Sequence, residues 1–335
     1  MARPVKLYLV IPCYNEIEVL RETEQRLDDK LSRMVSAGLI TEDSRMVFVD
    51  DGSHDGTWEL IEELYRENIR VRGIKSSRNR GHQNALLCGL MTVKDECDVT
   101  ISMDADLQDD IEVLDQFIEK YNEGCEIVYG VRNSRKTDSF FKRFTAQAFY
   151  RFMRLMGTEV VYNHADYRLL SRRALKELKN YKEVNLFLRG LVPLVGFQTG
   201  VVEYERGKRY AGKSKYKLGS MIRFAEDGIT SMSVRPIRLI AALGVCIFFI
   251  SILFLIWMIV GALKGHTIRG WASTMVSIWA LGGLQLFAIG IIGEYIGKVY
   301  LESKHRPRYI VEKYLRDRDS EGRVINRDSE RPARR

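Results

Sequence analysis

A chain of 335 residues is long enough for one large domain or two smaller ones, and its mean hydropathy of −0.19 makes most of it water-soluble. Lys and Arg number 52 against 44 Asp and Glu, a formal charge of +8 and a sequence pI near 9.1. That excess fits a solvated surface or attraction to anionic lipid and phosphate; with no zinc-ligand spacing and no RNA-binding aromatic signature, nucleic acid is set aside as a partner. The five cysteines, Cys13, Cys88, Cys97, Cys125 and Cys246, are odd in number, irregularly spaced and free of any Cys-x-x-Cys. They argue against a disulfide framework or zinc site and fit a reducing cytosol. The N-terminus enters a strand almost at once, with no signal-peptide core.

The first half alternates strand and helix signals. Leu7–Ile11 is an apolar run stopped by Pro12, and an amphipathic stretch follows from about Glu16 to Ala37. Met46–Val49 is a second strand, ending at Asp50-Asp51-Gly52, and Thr57–Arg66 has helical spacing. Val71–Ile74 and Val99–Met103 read as strands with a helix over His82–Val93 between them, and Ile127–Tyr129 reads as another strand. Such alternation implies parallel βαβ units in a doubly wound sheet, whose ligands bind beyond the carboxyl ends of the strands. Those ends carry Pro12-Cys13-Tyr14-Asn15-Glu16, Asp50-Asp51-Gly52-Ser53 and Asp104-Ala105-Asp106, so three polar clusters fall on one edge.

Further on, Ser139–Met156 is aromatic, basic and helical in period, which suits either a core-packing helix or one lying on a membrane surface. Leu239–Leu263 carries no charge and is long enough to span a bilayer, which takes about 20 residues. A second apolar stretch runs over 271–296, and only Lys264–Gly270 separates the two, giving a helical hairpin with both ends on one side. Basic residues flank the hairpin before (Lys213 to Arg238) and after (Lys298 to Arg308), so both termini and the α/β domain are expected on the cytoplasmic face of a cell-membrane, multi-pass protein. The expected organisation is a catalytic α/β domain over 1–217, a juxtamembrane amphipathic segment over 218–236, two transmembrane helices within 237–297 and a basic tail over 298–335 with a disordered end. Gly282, Gly283, Gly290, Gly293 and Gly297 permit close helix packing. They point to a homo-oligomer, a tetramer being one size; packing within the hairpin is the other reading.

The alternate carboxylates of Asp104 and Asp106 follow a buried strand, where they can share Mg²⁺ or Mn²⁺ with a substrate diphosphate. Asp110 can cap the next helix, as can Asp55 or Thr57 after the Asp50–Gly52 turn. The loop Arg78-Asn79-Arg80-Gly81-His82 suits phosphate at a helix start and equally suits a solvated turn. In Asn163–Arg168, His164 is a weak metal candidate, and Asp166 is the better one for orienting an acceptor or taking a proton. Residues 206–217 hold six basic residues in twelve, a contact for anionic lipid or a loop closing over phosphates.

Three motifs together, Val10-Ile11-Pro12-Cys13-Tyr14-Asn15-Glu16, Val49-Asp50-Asp51-Gly52-Ser53 and Asp104-Ala105-Asp106-Leu107-Gln108-Asp109, resemble family 2 glycosyltransferases of the GT-A fold. Gly212-Lys213-Ser214-Lys215-Tyr216 followed by a two-helix hairpin is similar to the polyprenyl-phosphate glycosyltransferases, the group of dolichyl-phosphate mannose synthases and bactoprenol glucosyltransferases. The resemblance covers about residues 5–312. It implies a GT-A domain, Rossmann-like with a doubly wound, mostly parallel sheet, plus a C-terminal two-helix transmembrane hairpin. It implies inverting transfer of a hexose from a nucleotide-sugar to undecaprenyl or another polyprenyl phosphate for cell-envelope glycosylation. UDP-glucose is the first choice of donor, with UDP-N-acetylglucosamine and GDP-mannose open.

By the same resemblance Pro12, Tyr14, Glu16, Asp50, Asp51 and Asn79 hold the nucleotide. Asp104 and Asp106 engage the metal and diphosphate, with Ala105 between them and Gln108 close to the sugar. Arg132 and Arg143 meet the acceptor phosphate, Asp166 is the acidic residue tied to catalysis, and Arg209 and Ser214 lie on a loop closing over the donor. Two departures stand out. Asp110-Ile111 replaces a common Pro-Pro, which leaves the next helix start open, and no Gln-x-x-Arg-Trp is present, which disfavours a polymerising enzyme. The competing readings are a membrane-anchored transferase with a non-lipid acceptor and a non-catalytic scaffold that binds nucleotide-sugar.

Overall fold

The computed structural model describes residues 3–132, 164–205, 207, 230, 233–263 and 270–316. The expected aromatic helix over 139–156, the closing loop with Arg209 and Ser214, Arg143 and the last residues of the tail lie outside the described residues. The chain divides into two compact units. One comprises Met1–Gln147, Val161–Tyr216 and Pro307–Arg335; the other comprises Ala148–Val160 and Lys217–Arg306.

The first unit is built on an eight-stranded sheet. Its strands are β1 (Leu7–Cys13), β2 (Arg45–Asp50), β3 (Val71–Ser76), β4 (Val99–Ser102), β5 (Ile127–Arg132), β6 (His164–Ser171), β7 (Thr199–Tyr204) and β8 (Val311–Leu315), in the order β7-β5-β6-β4-β1-β2-β3-β8. β1 pairs in parallel with β2 and β4, β2 with β3, and β5 with β7. β6 runs antiparallel to β4 and β5, and β8 antiparallel to β3. The sheet is therefore mostly parallel, as the alternating pattern implies.

Helices cover both faces. Leu7, Leu9 and Ile11 of β1 are fully buried with Leu20, Leu27 and Leu31 of α1 (Ile17–Ser36) and with Ile61 of α2 (Thr57–Glu67). Each such side chain stabilises by roughly 1.5–3 kcal/mol. On the opposite face α3 (His82–Val93) lies so close to the sheet that a Cβ at Gly89 would meet Val10 at 2.5 Å and Val49 at 2.7 Å. The remaining helices of this unit are α4 (Leu114–Asn122), α5 (Arg172–Leu178) and α6 (Leu188–Leu194).

Three strands escape the sequence pattern. β6 takes in the polar segment around Asp166, because its antiparallel register with β4 buries Tyr167 and Leu169. β7 alternates exposed and buried positions at a sheet edge. β8 comes from the segment read as a tail. Its Tyr314 hydroxyl donates to Glu96 (3.1 Å), which also accepts from buried Arg72 (2.6 Å) and pairs with Arg316 (2.5 Å). Charged residues that make this segment look like a solvated tail hold it in place: Glu312 pairs with Lys75 of β3 (3.5 Å), and Arg316 with Glu96.

The second unit holds α7 (Arg235–Leu263, 29 residues) and α8 (Trp271–Ser303, 33 residues). Leu253, Trp257, Leu286 and Phe287 are exposed on them. Within α8, Ala280–Ser303 is long and apolar enough to cross a membrane. The glycines Gly282, Gly283, Gly290, Gly293 and Gly297 face open space: a Cβ at any of them meets no described atom within 4 Å.

Candidate active site

The parallel strands β1, β2 and β4 deliver the three polar clusters to one sheet edge. The loops after β1 and β2 are stitched together there. Asn15, at φ 52°, accepts at its side chain from His54 N (3.0 Å), and its own N–H donates to Ser53 Oγ (3.0 Å). Glu16 N donates to Thr57 Oγ1 (3.0 Å), and Asp55 accepts from Thr57 N (3.0 Å); neither Asp55 nor Thr57 is the N-cap of α2, which is Gly56 with no side-chain cap bond. Pro12 is buried in β1 and Tyr14 is exposed just beyond it. Asp50 is buried and accepts from Ser53 N; burial raises its pKa. Asp51 receives Arg80 N (2.9 Å) and Gly81 N (2.7 Å), and Asn79 Oδ1 receives Gly81 N (3.0 Å). Burial nevertheless raises the Asp51 pKa. Gly52 is required where these loops meet: its φ is +71°, and a Cβ would lie 2.7 Å from Asn79 N.

After β4 the chain enters the Asp104-Ala105-Asp106 turn. Ala105 is buried and its carbonyl accepts from Thr23 Oγ1 (2.8 Å). Asp106 accepts from Gln108 N (3.2 Å), Leu107 sits at φ +55°, and Gln108 O accepts from Gly207 N (2.8 Å). A bulky residue in the left-handed region is strained, and such strain gathers at functional sites. Burial, opposed by His82 and reinforced by Asp166 and Asp106, raises the Asp104 pKa. Asp109 is pushed up to about 6 by burial and the Asp104 charge. Among the described residues no three His, Cys, Asp or Glu form a metal cage. Two crowded carboxylates fit instead a hard cation completed by substrate phosphates.

The antiparallel β6 and its neighbour β5 bring cations to the same edge. Because Ser102 pairs with Arg168 and Val131 with His164, the start of β6 and the end of β5 lie beside Asp104. Arg132 Nε donates to Tyr204 Oη (3.2 Å), whose O–H donates to Asp109 Oδ1 (2.6 Å). Asp166 pairs with Arg168 and, side-on, with Arg189 of α6 (3.3 and 3.1 Å). His82 Nε2, at the start of α3, lies 3.5 Å from Asp166 and 3.6 Å from Asp104. Burial works against charge on His82, yet the two carboxylates push its pKa up to about 9. Burial likewise opposes ionisation of Asp166, but Arg189, His82 and Arg168 hold its carboxyl well below the usual range.

Sequence reasoning missed Arg189, Tyr204 and the bridging place of His82. The one available signal was a lone Arg among Phe187, Leu188, Leu191 and Val192, all buried.

The profile of Glycosyl transferase family 2 matches residues 8–179. The chain belongs to that family. A second profile, the GtrB C-terminal hairpin, matches residues 235–299. The chain is 53% identical over 93% of its length to an uncharacterized glycosyltransferase YkoT of Bacillus subtilis (strain 168), covering 92% of that protein. It is 39% identical over 92% of its length to a bactoprenol glucosyl transferase of Shigella phage SfV, covering 98% of it. A prophage bactoprenol glucosyl transferase homolog of Escherichia coli (strain K12) is 36% identical over 92% of this chain and 99% of its own. The protein is thus a family 2 glycosyltransferase with a GT-A-like sheet, and its C-terminal hairpin associates it with membranes.

Proposed function

We propose that this family 2 glycosyltransferase transfers glucose, with inversion, from UDP-glucose to undecaprenyl phosphate at the cytoplasmic membrane face. The observation that carries the reading is the sorting of charge along one edge. The carboxylates Asp104, Asp106, Asp50 and Asp51 lie at or just after the ends of β4 and β2, and beside them Arg132, Arg168 and Arg189 gather from β5, β6 and α6 around Asp109 and Asp166. An acidic side suits a cation-bound nucleoside diphosphate, and a guanidinium-rich side suits a phosphate nucleophile. The names of the phage relatives supply the sugar and the lipid.

In this reading Pro12, Tyr14, Glu16, Asp50, Asp51 and Asn79 hold the nucleotide. Asp104 and Asp106, beside Ala105 and Gln108, would hold Mg²⁺ or Mn²⁺, which when bound offsets charge on the departing diphosphate. Arg132 and Arg143 orient the lipid phosphate, and Arg209 and Ser214 close over the donor. One acceptor phosphate oxygen forms the bond to the anomeric carbon as the bond to UDP breaks on the opposite face. That oxygen is already anionic near neutral pH, so proximity and charge balance do most of the catalysis.

The membrane topology has support of its own. β8 follows the hairpin and completes a sheet whose other strands precede it. The intervening chain therefore returns to the side it left, which favours two crossings with both ends cytoplasmic. The open glycine row on α8 leaves room for a second copy in a homo-oligomer.

The test offers purified protein Mn²⁺, undecaprenyl phosphate and labelled UDP-glucose, UDP-N-acetylglucosamine or GDP-mannose in separate reactions. Label from UDP-glucose alone should enter the organic phase. Label from another donor would replace the sugar; transfer that needs no lipid phosphate would replace the acceptor.

A further inference from the structure

Three basic side chains, Arg168, Arg189 and His82, crowd the two oxygens of Asp166. Arg168, fully buried on β6, already pairs with its Oδ1. Arg189 adds a second guanidinium, Nε to Oδ1 at 3.3 Å and Nη2 to Oδ2 at 3.1 Å. Two fixed guanidiniums share one carboxylate that is only 13% exposed, whereas Arg189 keeps 27% exposure. Of the two, Arg189 is the guanidinium that solvent, and so a ligand, can reach.

Arg189 is also held rigidly. Leu188 N donates to Gln83 Oε1 of α3 (2.8 Å), and Leu188 O accepts from Arg168 Nη1 (3.3 Å). Phe187, Leu188, Leu191 and Val192 are buried and anchor the rest of α6. With the neighbouring backbone fixed in this way and its guanidinium held by both oxygens of Asp166, Arg189 is preorganised before any ligand arrives, which favours phosphate recognition. Only the His82 ring separates this group from Asp104.

We infer that Arg189 binds the phosphate of the acceptor, and that Asp166 is the positioning residue that aims it. This rests on the acceptor proposed above. The committed source is the lipid phosphate monoester; the donor diphosphate carries the same chemistry and is separated by the test. Asp166, with Arg168, Arg189 and His82 around its two oxygens, takes no proton in this arrangement.

The experiment begins with wild-type transfer to undecaprenyl phosphate in detergent. If the wild type fails there, the acceptor assignment is at fault and not Arg189. With wild-type transfer in hand, R189A should raise the acceptor KM about tenfold or more and lower kcat/KM on the order of a hundredfold. The Kd for UDP with Mn²⁺ should stay within about twofold. R189K keeps the charge without the planar fork and should recover only a small part of the rate. Added guanidinium should raise the R189A rate and leave D166A unchanged. D166N should lower kcat/KM comparably, and the D166N/R189A double variant should be no worse than the weaker single one, as for residues acting as a unit. Multiplying losses would make Asp166 independent of Arg189 and overturn the inference. So would an unchanged acceptor KM in both R189A and R189K, or a loss of UDP affinity equal to the loss of acceptor affinity.

Discussion

The two halves of the ligand edge differ in chemistry and in how they are built. The acidic half hangs from the parallel strands β1, β2 and β4, whose following turns each carry a carboxylate. The basic half comes from antiparallel β6, from the end of β5 and from the first turn of α6. Parallel βα turns repeat one geometry, so the strand order alone brings their clusters to one edge, where hydrogen bonds then join the loops. The basic half converges only because Asp166 gathers Arg168, Arg189 and His82 from three distant segments. A carboxylate that holds cations in place, on the side where an anion is to bind, separates the two roles that one Asp-rich edge would otherwise confuse.

If that division holds, substitutions should split by half. The largest effect is expected for D104A, which should lower transfer on the order of a thousandfold in an initial-rate assay and abolish Mn²⁺ binding read by EPR. Its thermal stability should not fall, because the raised Asp104 pKa marks crowding by burial and by Asp166 and Asp106 that the change relieves. Y204F comes next. It removes the hydroxyl that links Asp109 to Arg132, and should raise the acceptor KM several-fold while UDP affinity stays put.

Y314F serves as the control outside both halves. Losing its hydrogen bonds to Glu96 and Arg72 should cost about 1 kcal/mol in denaturant unfolding of the β3–β8 edge and change neither KM. The smallest effect is a slope. Asp109 has a pKa raised to about 6, so its contribution to stability is complete below about 4, the unfolded value, and is lost as pH rises through about 6. D109N, neutral throughout, should flatten the stability profile of metal-free protein over that range.

The same contrast explains what could be read from the chain. Strands β1 to β4 and helix α3 are continuous apolar runs broken by turn residues, so their places are legible, α3 to the residue. The D-x-D turn and the Asp50–Gly52 turn follow directly from those strand ends. Arg189 was not legible, since what marks it is the antiparallel register that lays Arg168 beside Ser102 and the Gln83 bond that fixes Leu188. β8 was hidden for a related reason: Val-Glu-Lys-Tyr-Leu has too few apolar residues to announce a strand, and its partners Arg72 and Glu96 lie more than two hundred residues away.

The most direct test of the division is calorimetric titration of UDP with Mn²⁺ into wild-type protein, D104N and R132A, beside acceptor KM values for the same three proteins. The account predicts that D104N weakens UDP at least about tenfold, while R132A leaves UDP within about twofold and raises only the acceptor KM. UDP binding lost as much in R132A as in D104N would contradict it, because the two halves would then hold one ligand.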